Sequence, residues 1–237
     1  MRQIIFELCA ETVDACLAAR TGGASRIELC SGLSEGGLTP SHGLIADTVP
    51  HAGLPVHVLV RPRGGDFCYS PREFDIMCDD VRHARELKAA GVVLGILTSE
   101  KIIDIARTRT LVEAARPMQV TFHRAFDETT SLPRSLEDAI SAGCDRVLTS
   151  GGQRDVLAGA DTLRALVQQA GERIEIAVGG GLRLRSAASV AKITGATHFH
   201  GSLRRRTRDG RIVVESSSVE AMVRRLESAS ACLAEIK

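Results

Sequence analysis

The sequence predicts an α/β protein, a (β/α)8 TIM barrel folded as one domain over residues 1–237. Three observations predict it. Short apolar strands alternate with helix-period segments eight times, which calls for a parallel sheet covered by helices. No linker or shift in composition divides the 237 residues, a length usual for this barrel. The competing fold is an open doubly wound sheet, which usually carries fewer strands. It would place a GxGxxG fingerprint after its first strand, and the sequence has none there.

The units follow in order. A strand over Ile4–Cys9 leads to a helix through Val13, Cys16, Leu17 and Arg20, closed by Gly22-Gly23. The second strand, Arg26-Ile27-Glu28-Leu29, runs into Cys30 and a loop with Gly32, Gly36 and Gly37. Thr39-Pro40 reads as the next helix start, a cap followed by proline, and Pro50 as its end. The third strand, Val56–Val60, enters Arg61-Pro62-Arg63-Gly64-Gly65-Asp66-Phe67-Cys68-Tyr69. Ser70-Pro71-Arg72-Glu73 then has the form of a capping box with proline at the first helical position, and its helix is expected to end near Ala90-Gly91. Val92–Leu97 is nearly all apolar, as a strand buried on both faces should be, and Thr98-Ser99-Glu100 reads as the following helix start. Strands five and six are Gln119–Arg124 and Arg146–Thr149, with helices over Leu132–Ala142 and Asp161–Gln169. Strand seven, Ile174–Val178, precedes Gly179-Gly180-Gly181. Strand eight, Thr197–His200, precedes Gly201-Ser202, and a helix over Val219–Leu233 closes the chain.

Composition narrows the function. Net charge is +1, which gives no reason to expect nucleic acid or an anionic membrane as partner. Aromatic residues make up 3% of the chain, so stacking platforms for bases or sugars are scarce. No stretch is long enough to span a bilayer. The apolar run Ile4-Ile5-Phe6 stops at Glu7, so no secretory segment is read. Seven cysteines at irregular spacing fit neither a disulfide scaffold nor a CxxC zinc site. A cytoplasmic protein with reduced thiols is expected. An apolar face on a terminal barrel helix would permit a homodimer.

Function in a barrel of this kind sits at the C-terminal strand ends, and three groups of residues fall there. Phe6-Glu7-Leu8-Cys9 and Ile27-Glu28-Leu29-Cys30 repeat one pattern, with Glu and Cys two apart and so on one face of the strand. Neighbouring strands lie about 4.8 Å apart, so two thiolates there could grip a soft ion such as Cu(I). The alternative is that each cysteine is a small buried hydrophobe. Cys68 is a further candidate thiol, while Cys16, Cys78, Cys144 and Cys232 read as packing residues. Glu7 and Glu28 need partners if buried, and Arg61, Arg63, His123 and Arg124 at other strand ends are the expected ones. Glu7, Glu28, Arg61 and His123 then form either an acid–base catalytic cluster or a polar plug of satisfied ions. Gly179, Gly180, Gly181, Gly201 and Ser202 occupy the usual phosphate position of such barrels, with Arg183 and Arg204 nearby. They make either an anion site for a small phosphorylated or carboxylated ligand or simply tight turns. Arg204-Arg205-Arg206 reads as a solvated loop, and His42, His51 and His83 show no ligand spacing.

The stretches ELCAETVDACLAARTGGASRIELCSGLSEGGLTPS, RPRGGDFCYS, VTFHRAFD, RVLTSGG and VGGGL together resemble the copper homeostasis protein CutC family, from the first strand to about residue 205. The resemblance implies a (β/α)8 barrel, a cytoplasmic location and a role in copper handling. It also implies Cu(I) ligation by two strand-end cysteines, which here are Cys9 and Cys30. Cys68 stands at the variable position of the family's GGDFxYS motif. Two functions follow as expectations: a Cu(I)-binding homeostasis protein, or a barrel enzyme of unknown reaction on a small anionic substrate.

Overall fold

The computed structural model describes residues 3–234, with side chains described as far as residue 230. Eight parallel strands close into a barrel in chain order: β1 (Ile5–Ala10), β2 (Arg26–Leu29), β3 (Val56–Leu59), β4 (Gly91–Leu94), β5 (Gln119–Phe122), β6 (Arg146–Thr149), β7 (Glu175–Gly179) and β8 (His198–Gly201). Closure is made by β1 and β8, with Phe6 opposite Phe199 and Glu7 opposite His200. The helices are α1 (Val13–Thr21), α2 (His42–His51), α3 (Pro71–Glu86), α4 (Ile105–Ala115), α5 (Leu132–Ala142), α6 (Ala160–Ala170), α7 (Leu184–Thr194) and α8 (Ser216–Ala234). A two-stranded hairpin, β9 (Arg205–Arg206) with β10 (Ile212–Val213), lies between β8 and α8. The arginines expected in a solvated loop are exposed, two of them on this hairpin. Cys232 falls in the last turn of α8, and its packing lies outside the described side chains.

Strand alternation divides the apolar residues into two sets. Phe6, Leu8, Ile27, Leu29 and Phe199 point outward and join the main core between barrel and helices. Cys9 and Cys30 point inward with Leu59 and Val93, forming a small separate cluster at the top of the barrel interior.

Several element boundaries differ from the sequence reading. The α2 cap is Ser41, whose hydroxyl accepts from the Leu44 N–H. Thr39 instead accepts the Arg61 N–H at 2.9 Å and donates to Asp80 at 3.1 Å, which ties the second loop to the third strand and to α3. Pro50 sits within the last turn of α2 rather than ending it. Thr98 and Ser99 do not start a helix; Asp104 caps α4 through the Arg107 N–H, and the intervening turn is held by a Leu97–Ile103 bridge. Helix α3 stops at Glu86, with Leu87 as its C-cap.

Candidate metal centre at the barrel mouth

Glu7 lies inside the barrel at 1% exposure. Its Oε2 accepts from Arg26 Nε at 2.7 Å and from Arg146 Nη2 at 2.7 Å, and its Oε1 pairs with His200 Nδ1 at 2.9 Å. Arg146 Nε also donates to Thr121 Oγ1 at 3.0 Å. The expected partners Arg61, Arg63, Arg124 and His123 are therefore corrected to Arg26, Arg146 and His200. Barrel closure brings inward residues of β2, β6 and β8 onto one carboxylate of β1. Burial alone would raise the Glu7 carboxyl, but the Arg26 charge and the His200 bond outweigh it and hold it at about 2. Each arginine keeps one buried nitrogen without a partner, Arg26 Nη2 and Arg146 Nη1.

Glu28 stands one layer higher. Barrel stagger sets Cys9, not Glu7, opposite it in the ladder. Its Oε1 accepts from the Cys9 thiol at 3.5 Å, while its Oε2 is buried with no partner. Burial, reinforced by the Glu7 charge, raises the Glu28 carboxyl, although His200 and Cys9 pull the other way. For His200 burial opposes the charge, and the carboxylates of Glu28 and Glu7 overcome it, raising the imidazole.

The thiols of Cys9 and Cys30 lie 3.5 Å apart, and neither cysteine is in a disulfide. Cys30 is fully buried, and its sulfur also contacts the Ala10 carbonyl at 3.6 Å. The hydrogen bond with Cys30 and burial push the Cys9 thiol well up. One sulfur of Cys9, one carboxylate oxygen of Glu28 and one ring nitrogen of His200 all lie within 4.8 Å of one another. Among the described residues this is the only group of three or more such side chains close enough to hold one ion. Cys68 is elsewhere, donating to the Thr98 carbonyl at 3.0 Å.

Above these groups opens a cavity of about 880 Å³, lined among others by Cys9, Glu28, Arg61, His123, Gly180 and His200. His123 is 5% exposed. Its Nδ1 accepts the Ala125 N–H at 3.1 Å, and its Nε2 is buried with no partner. Burial, then the nearby Arg61 charge, lowers this imidazole to about 3, so it is neutral. Arg61 donates to the carbonyls of Glu35, Gly37 and Gly65 at 2.7–2.9 Å and stacks over Phe67. It therefore pins the second and third loops together. Arg63 does similar work within RPRGGDFCYS, bonding Glu73, Asp66 and the Cys68 carbonyl.

The glycines expected at an anion site separate by position. A Cβ on Gly179 would stand 2.8 Å from the His200 Cβ, so its bareness makes room for that ring. Gly180 has φ 110°, a conformation that L side chains rarely adopt, and a Cβ there would stand 3.0 Å from the Arg124 Cζ and from the Ser150 Cβ. Gly180, Gly181, Gly201 and Ser202 line the cavity rim, with Arg183 and Arg204. Arg204 is paired to Glu11 at 2.9 Å. The VTFHRAFD and RVLTSGG stretches meet at Asp127, which takes the Thr149 hydroxyl, the N–H groups of Ser150 and Gly152, and Arg124.

His200, Arg26 and Arg146 are the residues of the candidate site that sequence reasoning missed. His198-Phe199-His200 alternates with period two just before Gly201-Ser202, which is the signal that marks His200 as inward and near the mouth.

Comparison with known proteins identifies the family and the barrel. The CutC family matches residues 4–205. The family protein CutC of Chromobacterium violaceum is 44% identical over 232 residues, covering 95% of this chain and 94% of its own. That of Xylella fastidiosa is 46% identical over 199 residues, covering 84% and 74%. Among solved structures, a Streptococcus agalactiae CutC named for copper homeostasis aligns with TM-score 0.80 and 35% identity, covering 84% of this chain and 99% of its own. Thiamine phosphate pyrophosphorylase of Pyrococcus furiosus aligns over 95% of this chain and 96% of its own, with TM-score 0.62 but 16% identity, which shows the barrel alone. With motifs, barrel and relatives in agreement over most of its length, the chain belongs to the CutC family.

Proposed function

We propose that this protein is a cytoplasmic Cu(I)-binding member of its family, acting as a single barrel domain, with Cys9 and Cys30 as the ligands. The observation that carries the reading is the 3.5 Å approach of two reduced, inward thiols. Thiolates are the donors that select Cu(I). Leu33, Leu59 and Val93 pack against the pair on its apolar side, with the Glu28 carboxylate beside Cys9, and Cys9 borders the open cavity, which supplies a way in. The Streptococcus agalactiae relative named for copper homeostasis supports the same reading. No helix among the described residues is long and apolar enough to cross a membrane.

The test is an anaerobic Cu(I) titration against a competing chelator, with wild type beside the Cys9→Ser/Cys30→Ser double variant. Tight stoichiometric binding lost in the variant is the expected result. Equal affinity of the two proteins would remove the ligand assignment.

A second reading, an enzyme on a small phosphorylated or carboxylated substrate, draws on a different observation. The cavity presents two buried polar atoms with no protein partner, Glu28 Oε2 and His123 Nε2. These are the groups free to exchange a proton with a ligand. Glu7 and Arg61 would serve by holding the frame, since both are engaged by protein. The rim glycines Gly180, Gly181 and Gly201, with Ser202 and Arg124, would take the anionic end, and Gly179 would give His200 its room. A metabolite screen in which Glu28→Gln abolishes turnover would establish this reading. A cavity that takes up neither inorganic phosphate nor any screened carboxylate would dismiss it.

A further inference from the structure

We infer that Cys9, Glu28 and His200 form a centre for a divalent cation of the zinc class, distinct from the thiol pair and sharing Cys9 with it. It depends on the Cu(I) reading only in that both use Cys9.

The three donors come from β1 and from β2 and β8, the two strands that flank it at the seam of the barrel. Their sulfur, oxygen and nitrogen atoms lie within 4.8 Å of one another. Thiolate, carboxylate and imidazole are the zinc donor types, whereas Cu(I) favours sulfur alone. Two features point to a built site. Glu28 Oε2 is buried and has no hydrogen-bond partner in the protein, with His200 Nδ1 4.0 Å away, so a carboxylate oxygen is left open to an ion. His200 is already oriented: its Nδ1 pairs with the Glu7 carboxylate at 2.9 Å, and with a proton on Nδ1 toward that carboxylate the neutral ring offers Nε2 as its lone pair. A carboxylate behind a ligating imidazole is the usual outer support of such sites. Here Arg26 and Arg146 fix that carboxylate in turn.

Cys30, 3.5 Å from the Cys9 sulfur, is fully buried and outside the group of three. Cys9, Glu28 and His200 all line the 880 Å³ cavity, whereas Cys30 does not. Three protein donors facing an open cavity leave a fourth position for water or for the anionic group of a ligand, the arrangement of an open rather than a closed zinc site.

The two centres can be told apart by exchanging metals and variants. Co(II), as the probe for zinc, is titrated anaerobically and read by its thiolate charge-transfer and d–d absorption, then displaced with Zn(II). Cu(I) competition is run on the same proteins, and circular dichroism checks folding. Wild type should bind one Co(II) with the charge-transfer intensity of one thiolate rather than two, a readout that needs no variant. Glu28→Gln and His200→Gln should each weaken Co(II) about 10-fold or more while leaving Cu(I) in place. Cys30→Ser should weaken Cu(I) and leave Co(II). Absence of Co(II) bands in wild type, a two-thiolate intensity, or Co(II) binding that ignores His200→Gln but fails in Cys30→Ser would overturn the inference. Cu(I) binding that survives alongside any of those results leaves the copper reading standing by itself. Co(II) binding without Cu(I) binding would do the reverse.

Discussion

Three imidazoles and one carboxylate inside the barrel titrate away from the values they have in water. Burial lowers His57 to about 4 and His123 to about 3, so both fold neutral. Below about pH 6.5 the unfolded chain binds these protons and the folded chain does not, so stability falls as pH falls. Glu7, held at about 2, adds a second loss as pH drops from about 4.5. The raised His200 works in the opposite direction. Urea unfolding should therefore show stability declining well above the carboxylate range. His57→Gln, whatever its own cost, should remove about 2 kcal/mol of the loss between pH 7 and pH 5. An unchanged pH slope in that variant would mean that His57 titrates normally in the fold. At this scale the sequence was legible where chemistry repeats: the doubled Glu-Leu-Cys pattern marked Glu7, Glu28, Cys9 and Cys30, and all four point inward. It was not legible where partners meet across the barrel. Arg26 and Arg146 stand at strand starts, where a charge is ordinarily solvated, and only closure turns them onto Glu7.

Among the elements, α3 shows what a local signal can decide. The Ser70 hydroxyl accepts the Glu73 N–H, and the Glu73 carboxylate accepts the Ser70 N–H at 2.7 Å, with Pro71 at the first helical position. Four contiguous residues carry that information, so the helix start was readable from sequence. Ser70→Ala should cost about 1 kcal/mol, a fall of roughly 3 °C in Tm for a chain of this size, seen in a thermal scan. No change would mean that the loop, through Arg63 and Glu73, fixes the helix start without the cap. By contrast Thr98-Ser99-Glu100 carries the same residue types yet starts nothing. Ile102 and Ile103 must first turn back, with the Thr98 N–H bonded to the Ile102 carbonyl, before Asp104 caps α4. Thr39 was misread for a similar reason: its hydroxyl is claimed by Arg61 and Asp80, which lie far away in sequence.

For the molecule as a whole, counting eight strand–helix units was sufficient to foresee closure, because strand number and length agree with one barrel. How the seam is sealed was not foreseeable. Helix α8 lies against α1 and α7, burying Val219, Met222 and Leu226. Gly22, the C-cap of α1, lies tight against the start of α8: a Cβ there would stand 2.5 Å from both the Ser216 carbonyl oxygen and the Val219 Cβ. Its φ of −83° is open to any residue, so the demand is for space alone. Gly22→Ala should destabilise by about 1–3 kcal/mol through overpacking, measured by urea denaturation, with Cu(I) affinity unchanged because the strand ends are untouched. Wild-type stability would show that α8 can shift freely at the seam.

The ion cluster around Glu7 also constrains how the chain can reach its final form. Its partners come from β2, β6 and β8, so a first half-barrel, β1 to β4, would enclose the carboxylate with Arg26 alone. Stripping partners from a buried ion costs about 3–5 kcal/mol, more than a small half-core can readily offset. A partial barrel must stay wet at its centre, and any folding intermediate keeps its interior open until the eighth strand arrives. The cluster thus acts against stable half-molecules, and complementary fragments split between β4 and β5 should gain their structure only on mixing.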